Sequence, residues 1–310
     1  MKAAQLTEYG GKEAISINEL PELEVGEGQI LIDVKAAGVN PFDWKVQAGY
    51  MKDFIPLNLP VTLGGDFAGV VTQVGSGVED IQVGDEVYGQ ANILAGGSGS
   101  FADKAIAVAN VIALKPKSID FVQAGGLPLV GSSALQALTE HINLQSGQKI
   151  LIQGGAGGIG SVAIQIAKYL GATVIATASP DDLEFVKSLG ADQIIDYTTQ
   201  KFEDLISEVD AVFDTAGGDT TNRSISVLKR GGILVSMVQP ADEETMKERE
   251  VEAIAQQTKI TKERLEELSK LVDSGVVHIE VEKTFPLEET AEALSYLKET
   301  PPKGKVVITV

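Results

Sequence analysis

The feature that most constrains this chain is a glycine-rich turn between a strand-like and a helix-like run. Residues 150–153 (Ile-Leu-Ile-Gln) read as a buried strand. Gly154-Gly155-Ala156-Gly157-Gly158-Ile159-Gly160 follows, and residues 161–170 then carry apolar side chains at helical spacing. Gly155, Gly157 and Gly160 form a G-x-G-x-x-G pattern. In a strand–turn–helix unit the three glycines serve different ends. One permits a tight turn out of the strand, one lets the backbone approach a pyrophosphate, and one lets helix pack tightly on sheet. The free N–H groups of the helix start add partial positive charge for phosphate oxygens. No Gly-Lys-Ser/Thr follows, so this is not a mononucleotide P-loop. The spacing predicts dinucleotide binding through Gly155, Ala156, Gly157, Gly158, Ile159 and Gly160.

The tip of the next strand, Ala178-Ser179, bears on the choice of dinucleotide. It is small and hydroxylic, with room for a 2′-phosphate, and Ser179 is the expected contact. Asp181 and Asp182 follow with no Lys or Arg beside them. A carboxylate at this tip favours the ribose 2′-hydroxyl of NADH, although helix capping also accounts for aspartates here. The reading leans to NADPH and keeps NADH open.

The chain reads as α/β with two textures. Up to about residue 117, short β-type runs (30–36, 67–74, 86–89, 103–107) are separated by Gly-rich turns, as in a β-barrel. From about 119, helices (131–141, 158–170, 181–189, 202–207) alternate with strands (149–153, 173–177, 193–195, 211–213, 233–236). That alternation is the pattern of a doubly wound parallel sheet. A helix at 262–274, β texture at 277–285, a helix at 287–298 and a strand at 305–310 close the chain, the tail rejoining the first domain. The expected domains are 1–120 with 275–310, and 121–274. The acidic run 242–252 reads as a solvated helix face or a loop.

Composition removes several functions. The 310 residues include no Cys and two His, which excludes disulfides, a cysteine nucleophile and thiolate-held zinc or iron–sulfur centres. With 25 Lys+Arg against 44 Asp+Glu the net charge is −19, which argues against nucleic acid and anionic membrane surfaces. No leader pattern and no bilayer-length apolar run is seen, so the cytoplasm and a small-molecule partner are expected.

Several ordered motifs resemble the medium-chain dehydrogenase/reductase family, in its zinc-independent quinone oxidoreductase (zeta-crystallin-like) branch. They are Ala37-Gly38-Val39-Asn40-Pro41-Phe42-Asp43-Trp44-Lys45, Gly64-Gly65-Asp66-Phe67-Ala68-Gly69, Val83-Gly84-Asp85-Glu86-Val87-Tyr88-Gly89, the glycine turn, Ser188-Leu189-Gly190-Ala191-Asp192, Phe213-Asp214-Thr215-Ala216-Gly217-Gly218 and Gly304-Lys305-Val306-Val307. The resemblance runs nearly end to end. It implies a GroES-like β-barrel catalytic domain built from both termini, a central Rossmann domain, and an active-site cleft between them. Zinc-dependent relatives carry a cysteine ligand where this chain has Asn40, and a His-Glu pair at Asp66-Phe67. A metal-free enzyme is therefore expected, with His141 and His278 outside these motifs.

The activity implied is hydride transfer from NADPH to a quinone or an α,β-unsaturated carbonyl. The alternative is a non-catalytic NADPH-binding or scaffolding protein of the same fold. By resemblance Asn40 and Lys45 line the nicotinamide end, Tyr50 could donate a hydrogen bond to substrate, and Ser133 contacts the carboxamide. Tyr197 flanks the adenosine, Ala216 and Gly217 pass the cofactor, and Val238 touches the nicotinamide side. Lys303 or Lys305 could reach the 2′-phosphate or substrate, solvent exposure being the alternative for both. Wall packing is the competing role for Trp44 and Tyr50, and structural hydrogen bonding for Asp43. No residue stands out as proton donor, which leaves water. A homodimer fits the family, but Gln256, Gln257 and nearby charges in 249–260 weaken the expected pairing edge.

Overall fold

Gln29–Val39 is long enough to pair with three partners, and this decides the architecture of the first half. It lies antiparallel to Asp66–Val74, to Lys104–Val108 and to Lys305–Thr309. The resulting seven-stranded sheet runs Val281–Pro286, Lys305–Thr309, Gln29–Val39, Asp66–Val74, Glu86–Gln90 and Ile112–Leu114, with Lys104–Val108 paired beside the path. A three-stranded sheet of Ile15–Glu19, Lys2–Leu6 and Val61–Thr62 accompanies it. Ile30, Ile32, Phe67, Val87, Phe101, Ile112, Val306 and Ile308 fill the core of this unit. The β texture expected for the N-terminal part and the tail is present, and the strand 305–309 does rejoin the first sheet.

The computed structural model describes residues 1–310 and divides them into two units. The first comprises Met1–Leu129, Ile260–Gly275 and Ile279–Val310, and the second Val130–Lys259 with Val276–His278. The boundaries thus differ from the expected 120 and 274. The helix Phe121–Gly126 packs glycine to backbone on the long strand: a Cβ on Gly38 would lie 2.5 Å from the Gly125 carbonyl oxygen. The helix Lys262–Asp273 buries Leu265, Leu268, Leu271 and Val272, an i, i+3 stripe. Its Leu265 carbonyl accepts the Tyr88 hydroxyl at 2.6 Å, and Lys262 pairs with Asp80 at 2.6 Å. Both helices therefore belong to the first unit.

The second unit is a six-stranded parallel sheet in the order Gln193–Asp196, Thr173–Ala178, Lys149–Gln153, Val209–Asp214, Leu228–Ser236, Glu252–Ala255. Its strands are rich in Val and Ile, as a sheet covered on both faces requires. The helix Gly158–Tyr169 buries eight consecutive residues from Gly160 to Ala167. Where a helix was expected at 202–207 there is one short turn, Phe202–Asp204, and Glu208 then takes a left-handed φ of 56° at the entry to the next strand. The acidic run contains a helix, Glu243–Arg249, capped by Asp242, whose carboxylate accepts the Thr245 N–H at 2.9 Å. No helix is long and apolar enough to cross a membrane.

Candidate active site

In the second unit the glycine turn is built from the strand outward. Gly154, not Gly155, makes the turn: its φ is +75°, and its N–H donates to Thr177 Oγ1 at 3.1 Å. Gly155 then donates to the Thr177 carbonyl at 2.8 Å, which ties the turn to the neighbouring strand. A Cβ on Gly160 would lie 2.1 Å from the Gly154 carbonyl oxygen, so Gly160 serves close helix–strand packing as expected. A Cβ on Gly157 would meet nothing nearer than 3.6 Å. That side of the turn is open, and Gly157 caps the helix Gly158–Tyr169 with no side-chain bond to its first N–H groups. Open backbone with free N–H donors is what a pyrophosphate needs, so the residues present fit a dinucleotide.

The flanks of this turn carry the other expected contacts. Ser179 follows the strand Thr173–Ala178, and its hydroxyl donates to Asp182 Oδ2 at 2.6 Å. Asp182 holds this serine instead of capping the helix that follows. Tyr197 donates its N–H to the Ala178 carbonyl and is 58% exposed, beside the same tip. On the other flank Asp214 is fully buried and accepts from four donors: the Ala216 and Gly217 N–H groups and the Thr221 and Ser236 hydroxyls. It shapes the turn that carries Ala216 and Gly217. A Cβ on Gly217 would come within 2.5 Å of Val238, so these two expected contacts adjoin. Ser133 is buried, its Oγ 2.7 Å from Thr258 Oγ1. Gly154, Thr177 and Asp214 are positioning residues that the G-x-G-x-x-G spacing alone does not reveal.

In the first unit, residues distant in sequence form a buried polar cluster. Asn40 precedes the helix Pro41–Gln47 and gives its N–H to Asp43 Oδ2 at 2.8 Å. Its side-chain amide lies between two charged groups, with Nδ2 donating to Asp66 Oδ2 at 2.9 Å and Oδ1 accepting from Lys305 Nζ at 2.6 Å. Lys305 also donates to the Val39 carbonyl at 2.8 Å. Asp66 is completed by Gln90 Nε2 at 2.9 Å and the Leu129 N–H at 3.1 Å.

Burial lifts the Asp43 carboxyl to about 7, helped by the Asp66 charge and opposed by the Asn40 N–H and Lys305. Burial raises Asp66 as well, against the pull of Lys305 and its hydrogen bonds. It lowers Lys305, against the attraction of both carboxylates. Lys305 is 4% exposed, which corrects its expected role: it is neither solvent-facing nor free to grip a 2′-phosphate.

Tyr50 is 63% exposed, and its ring stands edge-on to Trp44 at 5.8 Å. The Lys45 ammonium lies 5.8 Å from the Trp44 ring centre. Trp44, Lys45 and Tyr50 thus form one group, carrying a hydroxyl and an ammonium. Lys303 gives its N–H to Glu282 Oε2 at 2.8 Å, just before the last strand. A small, open-mouthed hollow lies in the same unit against Phe42, Val46, Ile55, Leu57 and Leu94, with Asp43 and Asn92 as polar groups.

The residues at the zinc-ligand positions do not fit a zinc ion. Asn40 and Asp66 are bonded to each other, Asn40 also accepts from the Lys305 ammonium, and no three His, Cys, Asp or Glu side chains gather anywhere as a ligand set. A cationic lysine at 2.6 Å from Asn40 Oδ1 stands where a second cation would be repelled.

Comparison with known proteins agrees with this construction. Residues 26–117 match the alcohol dehydrogenase GroES-like domain, and residues 189–308 match a domain described as zinc-binding dehydrogenase. The chain is 38% identical to the NADPH-dependent alkenal/one oxidoreductase of Arabidopsis thaliana, over 99% of its own length and 79% of that protein. It is 37% identical to the 2-methylene-furan-3-one reductase of Solanum lycopersicum, over 99% and 79%. The quinone oxidoreductase of Coxiella burnetii superposes with a TM-score of 0.91 at 36% identity, covering 100% of this chain and 99% of that one. That of Escherichia coli, complexed with NADPH, does so with a TM-score of 0.89 at 27% identity, covering 100% of both chains. The glycine turn, the GroES-like sheet and these relatives together show that the chain belongs to the medium-chain dehydrogenase/reductase family, in its quinone oxidoreductase branch.

Proposed function

We propose that this protein is an NADPH-dependent oxidoreductase that reduces electron-poor acceptors, either enones and alkenals or quinones. The observation that carries the reading is the open glycine turn, with its uncapped helix start, in a chain whose zinc-ligand positions hold an amide–carboxylate–lysine cluster. Relatives named for NADPH, alkenal/one, furanone and quinone reduction support it.

NADPH, when bound, supplies a hydride to the electron-poor carbon of the acceptor. The first-turn N–H groups and the Gly157 edge hold the pyrophosphate, while Ser179 and Tyr197 bracket the adenosine end. The turn Ala216–Gly217 and Val238 bound the opposite end, together with Ser133. Hydride addition to an enone leaves negative charge on the carbonyl oxygen, which needs a hydrogen-bond donor rather than a metal. The Tyr50 hydroxyl and Lys45 ammonium are proposed as those donors, with Asn40 held rigid by Asp66 and Lys305. The single proton required comes from water, so one acceptor, one NADPH and one proton would give one saturated carbonyl and NADP+.

The test follows loss of NADPH absorbance with a simple enone, a short alkenal and a benzoquinone in turn, using metal-stripped protein. Turnover of at least one acceptor class is expected. NADPH binding without turnover on all three would make this a cofactor-binding protein without the proposed activity. No binding at all would overturn the reading of the glycine turn.

A further inference from the structure

The parallel sheet of the second unit ends in a side chain whose hydrogen bonding is incomplete. Gln256 directly follows the strand Glu252–Ala255 and is 6% exposed. Its N–H donates to the Ser236 carbonyl at 2.8 Å, so it extends the ladder to the carboxyl end of the neighbouring strand. Its side-chain Nε2 donates to the Ser133 carbonyl at 3.0 Å. Because a carbonyl only accepts, this bond fixes which end of the amide is which. The other end, Oε1, is buried without a donor. Ser132 Oγ, beside Ser133 in the helix Pro128–Gln136, is also buried and unpartnered.

Ligands of open parallel sheets bind beyond the carboxyl ends of the strands. In the order of this sheet the glycine turn follows the strand Lys149–Gln153. Ser179 and Tyr197 lie toward one edge, and Gly217, Val238 and Gln256 toward the other. If the adenosine occupies the first side, the nicotinamide occupies the second. A buried acceptor there calls for an N–H donor, and the nicotinamide carboxamide carries one. We infer that Gln256 Oε1 accepts a hydrogen bond from the carboxamide NH2 of the bound nicotinamide, with the Ser133 carbonyl holding the glutamine in place.

The inference rests on the NADPH reading above, and its test separates the two. Dissociation constants are measured by calorimetry for NADPH, for its thionicotinamide analogue, which keeps the NH2, and for its 3-acetylpyridine analogue, which lacks it. They are compared between wild type and Gln256→Met, a variant of similar length without the acceptor. One hydrogen bond corresponds to about five- to tenfold in affinity. The variant should lose about that factor for NADPH and for the thio analogue, and bind the acetyl analogue unchanged. Its thermal midpoint reports whether it folds; if it does not, the wild-type constants decide, a preference of about fivefold or more for the two NH2-bearing nucleotides over the acetyl analogue being expected. Equal losses for all three nucleotides, or none, would overturn the inference, as would a cofactor complex showing only an ordered water on Oε1. Wild-type protein that binds none of the three would instead remove the NADPH reading.

Discussion

A buried lysine beside an amide and two carboxylates makes the first unit sensitive to single side chains. Lys305 donates to Asn40 and to the Val39 carbonyl with its ammonium out of water. Lys305→Met would strand those acceptors and leave Asp66 without its cation, at a cost of about 3–5 kcal/mol. Asp66→Asn should then cost less in the Lys305→Met background than in wild type, a coupling visible in a denaturant double-mutant cycle. Asp43 adds a pH dependence of known sign. Its carboxyl sits near 7 when folded and in the ordinary carboxylate range when unfolded, so the folded state binds the extra proton. Its contribution to stability is full below that ordinary range and is lost as pH rises through about 7, at up to about 1.4 kcal/mol per pH unit. Unfolding midpoints should fall between about pH 5 and about pH 7 and flatten in Asp43→Asn. None of this is legible in the sequence, since Asn40 is separated by 26 positions from Asp66 and by 265 from Lys305. There Lys305 is an isolated lysine in a β run, and only the pairing of the last strand with Gln29–Val39 brings it inside.

The glycine turn was legible at the level of the element, because a strand, a turn and a helix in succession confine what the glycines can do. What the spacing could not assign was which glycine does what. Gly154 makes the left-handed turn, whereas Gly155 packs on Ala176 and Ile164. This division yields opposite outcomes for two similar substitutions. Gly160→Ala forces a methyl group against the Gly154 carbonyl and should lower stability by about 2 kcal/mol while displacing the turn. Gly157→Ala meets no such contact and should change the melting temperature little. It should nevertheless weaken NADPH by about tenfold or more, because the methyl group projects where the pyrophosphate approaches. Melting curves and cofactor titrations on both variants check the pair. The helix Lys262–Asp273 shows the complementary limit of sequence reading. Its apolar stripe was evident, but amphipathicity says that a face is buried and not which sheet buries it.

At the scale of the whole chain, a net charge of −19 opposes any anionic ligand, and the proposed cofactor grip uses backbone N–H groups in place of lysines. Screening should therefore help binding. Raising ionic strength from about 0.01 M to about 0.15 M shortens the reach of the repulsion from about 30 Å to about 8 Å. NADPH affinity should hold or improve over that range, and a steep loss would show that basic side chains carry the phosphates. The two-part organisation was readable from the change of texture near residue 119, whereas the exact crossings were not, because they depend on which surface each connecting helix covers.

The return of Lys305–Thr309 to the first sheet has a consequence for the order in which the molecule forms. Synthesis runs from the N-terminus and domains fold as units, so the continuous stretch Val130–Lys259 is complete while the older part of the chain still lacks an interior strand. Until residue 305 leaves the ribosome, Asn40 and Asp66 have no cation between them. A nascent chain stopped just short of that strand would carry a finished nucleotide fold beside an open sheet, and would be a natural client for a chaperone.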